Sequence, residues 1–296
     1  MRKDFHLLLI LQDKKMADLH IIEGGVGKHL QFTALFDALL EKNQESKLCL
    51  QSGFPDIFRY DKRVATSEVI AAFALHDFTH TMYDNYKDIY FNEPYRSNFL
   101  KGHNHIIKSW AEMYEVDVDT IAPNFQINTK REKFLQNDIL KLGKFVLVQF
   151  TGGQGIKLDS YDEDNTGRNY KKGQQVVNYL REALPDVNII VFGHDNEQEP
   201  LVNTMAFNNF SGIPKFIDKH DFMILAKHCL SFICIDSSLQ HMCSNKNFNK
   251  KGLVLWGTSK PNMFGYEKNI NIYSDYPYAC VIDPKHIVDT FLGMDI

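Results

Sequence analysis

The sequence predicts an α/β protein built from two consecutive open domains with parallel sheets. Two observations predict this fold class: strand-like segments alternate with helix-like segments along the chain, and the alternation starts again after the charged stretch 128–143. A chain of 296 residues is long enough for two well-buried domains. Ligands of such sheets bind outside the carboxyl ends of the strands, near helix N-termini. We therefore expect the functional residues in the loops that directly follow strands.

The first domain is predicted to span residues 1–135. Leu and Phe side chains recur at helical spacing over residues 28–43, and residues 103–116 form a second amphipathic pattern. Short apolar runs predict its strands at 19–23, 47–53 and 87–93. This alternation is typical of a parallel sheet covered by helices.

The second domain is predicted to span residues 136–296. Buried apolar runs predict its strands at 144–153, 187–193, 230–236 and 252–261. Helical patterns follow at 170–184, 221–229, 237–245 and 284–296. The last of these helices either closes the second domain or packs back on the first.

The composition limits the function classes. A net charge of −4 and a sequence pI near 6.3 give no electrostatic footprint for nucleic-acid binding. The cysteines contain no C-x-x-C pair and no zinc spacing, which indicates a reducing compartment. The apolar run near the N-terminus is too short for a signal-peptide core, and no segment has the length of a membrane span. We therefore expect a cytoplasmic protein without a transmembrane segment.

The most distinctive turn is IIEGGVGKHL, residues 21–30, where an apolar strand enters a glycine-rich turn before a helix. A nucleoside-triphosphate P-loop requires G-x-x-x-x-G-K-[ST]. Gly27 and Lys28 match the end of that motif. Ile22, however, occupies the place of the first glycine, and His29 occupies that of the hydroxyl residue. The turn is therefore not a P-loop.

Two interpretations of the glycine turn stay open. Gly24, Gly25 and Gly27 either permit unusual backbone angles in a tight strand-to-helix connection, or their missing side chains let a ligand approach the helix N-terminus. In the second interpretation, Lys28 and His29 lie at the edge of the cleft.

The first strand of the second domain is followed by a long polar loop, residues 150–173. Thr151, Gly152 and Gly153 offer amides and a hydroxyl just past a strand end, which suits a pyrophosphate. Arg168 adds a cation for charge-assisted bonds to phosphate oxygens. The alternative is a solvated surface loop, which the acidic run 159–164 favours for its middle portion.

The next loop, residues 191–199, is polar and acidic after a buried strand. Asp195 and Glu197 either meet a ribose hydroxyl or form a plain surface turn. No metal site is predicted, because the scattered histidines lack ligand spacing and the acidic run 159–164 lies in a solvated loop.

The sharpest segment is CIDSSLQHMCSN, residues 234–245. An apolar strand runs into Asp236, Ser237 and Ser238, and then into a helix that carries His241. Asp or Ser at this junction either serves as a helix N-cap or holds a phosphate with the free helix amides.

These loops, in this order, resemble glycosyltransferase family 9, the ADP-heptose:lipopolysaccharide heptosyltransferase-like group with the GT-B fold. GGVGKHLQFTALFDALLEK is similar to the family's glycine turn and first helix, while IDSSLQHMCSN and LVLWGTSKPNMFGY stand where the family has DTGxxHLAAA and LFGxTxP. The resemblance covers most of the chain and is most specific over residues 230–266. It implies two Rossmann-like domains that face an interdomain cleft, with the acceptor on the first domain and a nucleotide-diphospho-sugar donor on the second.

The resemblance also implies roles for single residues. Asp236, Ser237 and Ser238 would meet the pyrophosphate with support from His241. An acidic residue of the 195–199 loop would meet the ribose. The predicted donor-binding residues are Thr151, Gly152, Gly153, Arg168, Asp195, Glu197, Asp236, Ser237, Ser238 and His241. No cofactor and no metal ion are expected, because the helix dipole and basic side chains stabilise the leaving diphosphate.

One departure from the family concerns the base. Family members carry an aspartate after the glycine turn, where this chain has Lys28. A lysine is protonated unless it is buried and is therefore a poor base. His29 has the better intrinsic pKa for general-base work, and Glu23 is the third possibility. Lys28 is then free to hold an anionic acceptor or the diphosphate.

The predicted function is that of an inverting, metal-independent glycosyltransferase. It would move a sugar from a nucleotide diphosphate to a hydroxyl of a glycan, lipid, protein or modified-base acceptor. An epimerase or hydrolase of sugar nucleotides is one alternative on the same architecture. A sugar-nucleotide or glycan-binding protein without transfer activity is the other, because the family aspartate is missing.

Overall fold

The computed structural model describes residues 17–69, 86–152, 167–192, 201–202, 204–206, 218–274 and 278–294. These residues form two parallel β-sheets with helices packed against them. The prediction of two open α/β sheets is confirmed. No helix within these ranges is long and apolar enough to cross a membrane.

Within the described ranges, the first sheet has four strands in the order β3-β2-β1-β4. The strands are β1 (Leu19–Ile22), β2 (Leu48–Ser52), β3 (Val64–Val69) and β4 (Ile89–Phe91). Every described pairing is parallel, and β1 is buried along its whole length. A strand covered on both faces explains why β1 does not alternate between apolar and polar residues, and its one polar residue, His20, lies 3.0 Å from the Tyr114 hydroxyl.

The helices of this half are α1 (Val26–Phe32), α2 (Phe36–Asn43), α3 (Ser97–Leu100) and α4 (Ile106–Tyr114). The segment predicted as one helix over 28–43 is two helices joined by a 3₁₀ turn, Thr33–Leu35. The Thr33 hydroxyl donates to the Leu30 carbonyl and accepts from the backbone N–H of Asn124, which ties this turn to a distant loop. Such side-chain bonding competes with regular helix geometry.

Helix α5 (Thr129–Lys141) connects the two sheets. The charged stretch read as a boundary is thus a helix, whose N-cap Asn128 accepts from the Arg131 amide. The Arg131 guanidinium also lies 2.6 Å from Asp221 in the second half. The domain boundary at residue 135 stays a prediction, and it falls within this helix.

The second sheet has six strands in the order β10-β9-β8-β5-β6-β7, again all parallel. They are β5 (Phe145–Gln149), β6 (Asn188–Val191), β7 (Met205–Ala206), β8 (Phe232–Ile235), β9 (Leu253–Trp256) and β10 (Ile270–Tyr273). The helices are α6 (Gly173–Ala183), α7 (Lys219–His228), α8 (Ser238–Cys243), α9 (Pro261–Phe264) and α10 (Pro284–Leu292).

Helix α10 packs on the second sheet. Its Ile287, Val288 and Phe291 belong to the same buried cluster as Val177 and Leu180 of α6. The sequence left two packings open for the last helix, on the second half or on the first. The observed helix α10 packs on the second half.

The two halves share a hydrophobic core. A single buried cluster contains Phe36 and Trp110 from the first half together with Phe145 and Trp256 from the second. Helix α1 packs directly on α8, so the two glycine- and serine-containing turns that precede these helices come together. This contact positions the functional site.

Candidate functional site

A cavity of about 1270 Å³ lies between the carboxyl ends of the two sheets. This is where parallel α/β sheets bind ligands. Its first wall comes from the first half: Glu23, Gly24, Gly25, Val26, Gly27, Lys28, Gln31, Phe54, Glu93, Pro94, Tyr95, Phe99 and Ile106. Its second wall comes from the second half: Gln149, Gly152, Arg168, Phe192, Lys219, Phe222, Ile235, Asp236, Ser237, Ser238, His241, Met242, Thr258, Ser259, Met263 and Phe264.

The three glycines of the turn have different reasons to be glycine. Gly24 adopts φ +92°, a conformation that side chains disfavour. A Cβ on Gly27 would lie 2.6 Å from the His241 ring, so this glycine permits the close approach of α1 and α8. Gly25 has open space around it and precedes α1 without a side-chain cap. Gly25 therefore leaves room for a ligand to approach the helix N-terminus. Gly24 is required by its backbone conformation, and Gly27 by the close packing of α1 on α8.

Lys28 points into the cavity and forms an ion pair with Glu93. Its Nζ lies 2.5 Å from Glu93 Oε1 and 5.6 Å from the centre of the Tyr95 ring. The Lys28 side chain is only 13% exposed, so its ammonium is largely enclosed by these partners. A carboxylate from the segment after β4 therefore lies beside Lys28 at the glycine turn.

His29 does not reach the cavity. Its ring is fully buried, its Nδ1 lies 2.9 Å from the Gly25 carbonyl, and it packs edge-on against Phe54. Burial lowers the pKa of His29 to about 4 because the charged imidazolium is desolvated. The prediction of His29 as a cleft-edge base is therefore not supported, since helix α1 turns the residue after Lys28 into the core.

Glu23 is the predicted catalytic residue that does line the cavity as a carboxylate. It follows β1 directly and is half-buried. Gly25, two residues further on, has nothing within 4 Å of where a Cβ would lie, so the turn beside Glu23 is open at that point.

The second wall places Asp236, Ser237 and Ser238 in the cavity as predicted. Neither Asp236 nor Ser237 caps the helix with its side chain. The Ser237 hydroxyl instead donates to Gln149 Oε1 at 2.7 Å, and Gln240 Nε2 donates to Asp236 Oδ1 at 2.6 Å. The N-cap interpretation is wrong for the side chains, because their oxygens are held by neighbouring glutamines.

Asp236 and Arg168 act on each other electrostatically. Burial raises the pKa of Asp236, and the Ser259 hydroxyl, the positive charge of Arg168 and the Gln240 amide oppose that rise. Arg168 lines the same cavity and is half-buried. The second wall therefore contains the Arg168 cation near the Asp236 carboxyl group, whose protonated form is favoured by burial.

His241 lines the cavity from α8 but is almost fully buried. Its Nδ1 lies 2.7 Å from the Tyr266 hydroxyl, and burial lowers the pKa of His241 to about 3. The ring therefore stays neutral at physiological pH. Because it also meets Gly27, it acts as the spacer between α1 and α8.

The remaining donor predictions have mixed outcomes. The Gly152 amide donates to Asn169 Oδ1 at 3.1 Å, which removes it as a direct phosphate donor. Thr151 is half-buried and does not line the cavity. Gly153, Asp195 and Glu197 lie outside the described residues.

Two charged residues of the cavity were missed by the sequence analysis. Glu93 follows β4 directly, so the rule that loops after strands carry function could have found it. Lys219 begins α7, and its Nζ lies 3.4 Å from Asp56 and 4.9 Å from the centre of the Phe54 ring. No strand pattern precedes Lys219 in the sequence, so no local signal indicated it.

Within the described ranges, no group of three or more His, Cys, Asp or Glu side chains is arranged to hold a metal ion. The acidic run 159–164 lies outside these ranges. The expectation of a metal-free site stays a prediction.

Two parallel sheets that face a common cavity, with polar strand ends on both walls, define the GT-B architecture. The sequence matches no protein-family model and no curated protein sequence, so the likeness to known proteins is carried by the fold. The chain has the fold of the family 9 glycosyltransferases.

Three solved structures illustrate this. ADP-heptose lps heptosyltransferase II from E. coli superposes with a TM-score of 0.64 at 12% identity, covering 93% of this chain and 97% of that chain. A glycosyl transferase family 9 protein from Veillonella parvula superposes with a TM-score of 0.63 at 9% identity. The match covers 92% of this chain and 95% of that chain. The third is the iron-containing dodecameric heptosyltransferase TibC from enterotoxigenic E. coli, in complex with ADP-D-β-D-heptose. It superposes with a TM-score of 0.54 at 14% identity, covering 92% of this chain and 66% of that chain. At these identities the likeness establishes the fold.

Proposed function

We propose that the protein is an inverting glycosyltransferase that uses a nucleotide-diphospho-sugar donor. The observation that carries this proposal is the cavity itself. It brings an accessible carboxylate on one wall opposite a cation and two serines on the other. Heptosyltransferases of the same fold are named for, or bound to, ADP-heptose, which supports this donor class.

The second wall is proposed to hold the donor diphosphate. Arg168 supplies charge-assisted hydrogen bonds to phosphate oxygens, and Ser237 and Ser238 lie at the uncapped start of α8. Lys219 adds a second cation at the rim of the cavity. These groups would stabilise the negative charge that develops on the leaving diphosphate. On this basis we propose that no divalent ion is required.

The first wall is proposed to activate the acceptor, with Glu23 as the general base. Glu23 would take the proton of the acceptor hydroxyl while that oxygen attacks the anomeric carbon from the face opposite the diphosphate. The bond between the anomeric carbon and the diphosphate oxygen breaks in the same step. The configuration at the anomeric carbon is therefore inverted, and the diphosphate leaves with the electron pair.

A cytoplasmic location is part of this proposal. The described cysteines Cys49, Cys229, Cys234 and Cys243 are free thiols, and Cys229, Cys234 and Cys243 are buried. Free thiols fit a reducing compartment.

Calorimetric titration with a panel of nucleoside diphosphates, in the presence of a chelator, tests the donor site. We expect binding by the wild type and a loss of about 10- to 100-fold in affinity for Arg168→Ala, because a charge-assisted bond is removed. Arg181→Ala is the matched control, since Arg181 lies on α6 and donates to the Val187 carbonyl away from the cavity. If the wild type binds none of the diphosphates, the proposal is wrong.

The second candidate function is a sugar-nucleotide or glycan-binding protein of the same fold. Lys28 favours it, because a cation stands where the family has its base. Incubation with donor and an acceptor library separates the two functions. Donor binding without any transferred sugar would favour the binding protein.

A further inference from the structure

The two walls of the cavity carry different charges. Three charged side chains lie on the first wall, and they are Glu23, Lys28 and Glu93. The ammonium of Lys28 is taken up by Glu93 at 2.5 Å. Counted over the described residues, the wall therefore presents one net negative charge, and its cation Lys28 is already paired.

Lys219, a cation on the opposite wall, does not change the net charge of the first wall, because it is paired. Lys219 reaches towards the first half from α7, but Asp56 of that half lies 3.4 Å from its ammonium. Its chain also lies over the Phe54 ring. Arg168 stands on the second wall, where it interacts with Asp236. Among the described residues, the first wall thus offers no unpaired cation to an acceptor anion.

Aromatic side chains flank these charges. Tyr95 lies at the mouth of the cavity and is 61% exposed, while Phe99 and Phe264 meet edge-to-face with their ring centres 5.7 Å apart. An exposed ring such as Tyr95, next to a few polar groups, is typical of a binding site for a ligand with an apolar face.

We infer that the first wall selects acceptors that are neutral or positively charged at their reacting end, and disfavours phosphate- or carboxylate-bearing ones. This rests on the proposed function and names its acceptor class. A like charge beside a protein surface, where the effective dielectric constant is lower than in water, is repelled more strongly than in bulk solvent. Repulsive groups are a common device for specificity. Glu23, whose carboxylate has no ion-pair partner among the described residues, supplies the repulsion. The Lys28–Glu93 pair removes the cation that would attract an anion.

Binding of three matched methyl glycosides tests this inference without requiring transfer. Methyl glucoside is neutral, its 2-amino-2-deoxy analogue is cationic at pH 6.5, and methyl glucuronide is anionic. Ligand-observed NMR titration of the full chain gives the three dissociation constants. We expect the glucuronide to bind about five- to tenfold more weakly than the glucoside at low salt. The difference should narrow at 0.5 M salt, because screening shortens the range of the repulsion.

Two variants probe the source of the selectivity. Glu23→Gln removes the unpaired charge and is expected to reduce the difference to within about twofold. Glu93→Gln removes a carboxylate and also releases Lys28, so glucuronide binding should improve more than in Glu23→Gln. Glu41→Gln changes the net charge equally at an exposed position of α2 and is the matched control, with unchanged selectivity.

Several results would overturn the inference. They are equal or tighter binding of the glucuronide by the wild type, a selectivity that neither variant changes, and no binding of any of the three glycosides. A protein that binds nucleoside diphosphates and transfers sugar, yet prefers the anionic glycoside, overturns this inference and leaves the proposed function standing. Failure of all diphosphate binding overturns the proposed function by itself.

Discussion

The two walls of the cavity are built in different ways. On the second wall, polar residues follow adjacent strands of one sheet and hold each other, as Ser237 does with Gln149 and Gln240 with Asp236. On the first wall, the central contact is an ion pair between Lys28 after β1 and Glu93 after β4. The second wall is fixed by hydrogen bonds between the side chains that line it, which suits a group that always carries the same charge. The first wall depends on a single partly exposed pair, which suits a variable partner.

The largest expected effect separates the chemical roles of the walls. Glu23→Gln should lower kcat by about 10²- to 10⁴-fold, as expected on loss of a general base, with donor affinity unchanged. Arg168→Ala should instead weaken donor binding. Steady-state kinetics and calorimetry on both variants check this, with Glu41→Gln as the control. If both variants weaken donor binding equally, the division between walls does not hold.

A second prediction concerns His29, which lies behind the first wall. Its pKa is about 4 in the folded chain and about 6.5 when unfolded. Below pH 6.5 the unfolded chain gains a proton that the folded chain does not accept until about pH 4. Burial of His29 therefore lowers the free energy of unfolding as the pH falls through this window, by up to about 3 kcal/mol.

His29→Asn removes this titration and keeps a donor near the position of Nδ1 for the Gly25 carbonyl. Urea unfolding between pH 7 and pH 4.5 should show a flatter decline for His29→Asn than for the wild type. His103→Asn, at an exposed position, is the matched substitution. An unchanged pH dependence of stability, together with a shifted acid limb of kcat, would instead return His29 to a catalytic role.

A third prediction concerns the contact between the walls. A Cβ on Gly27 would lie 2.6 Å from the packed His241 ring, so Gly27→Ala should lower the free energy of unfolding by about 1–3 kcal/mol. Gly25→Ala is the control. Its Cβ meets nothing within 4 Å and its φ is −79°, so little change is expected. Denaturant unfolding measures both, and equal losses would show that the α1–α8 contact is not tight.

The smallest effect is expected for the Lys28–Glu93 pair. A cycle of Lys28→Met, Glu93→Gln and the double variant should give a coupling of about 0.5 kcal/mol in unfolding, because Glu93 is 35% exposed and solvent screens the pair. A coupling above about 2 kcal/mol would mean that the pair is structural, and the first wall would be as fixed as the second.

Much of the second wall could be predicted from the sequence. Asp236, Ser237 and Ser238 directly follow a buried apolar strand, and carboxyl ends of parallel strands meet at one edge of a sheet. The glycine turn was also recognised as a strand-to-helix connection, and the P-loop was excluded on its missing residues. Glu93 carried the same strand-end signal and could have been included.

Other features depended on contacts that no local pattern encodes. The burial of His29 depends on how α1 rotates towards Phe54, and the enclosure of Lys28 depends on Glu93 from another strand. The reason for Gly27 lies in His241, more than 200 residues away. Lys219 enters the cavity only because α7 packs near Asp56 of the other half.

The sequence by itself determined the alternation of strands and helices, the two parallel sheets and the polar strand ends that face the cavity. These follow from hydrophobic periodicity and chain connectivity, which are local properties. Only the tertiary structure decided which charge at the glycine turn meets a ligand. Burial and pairing set the state of Lys28, His29 and Glu93, and both depend on residues brought together from distant parts of the chain.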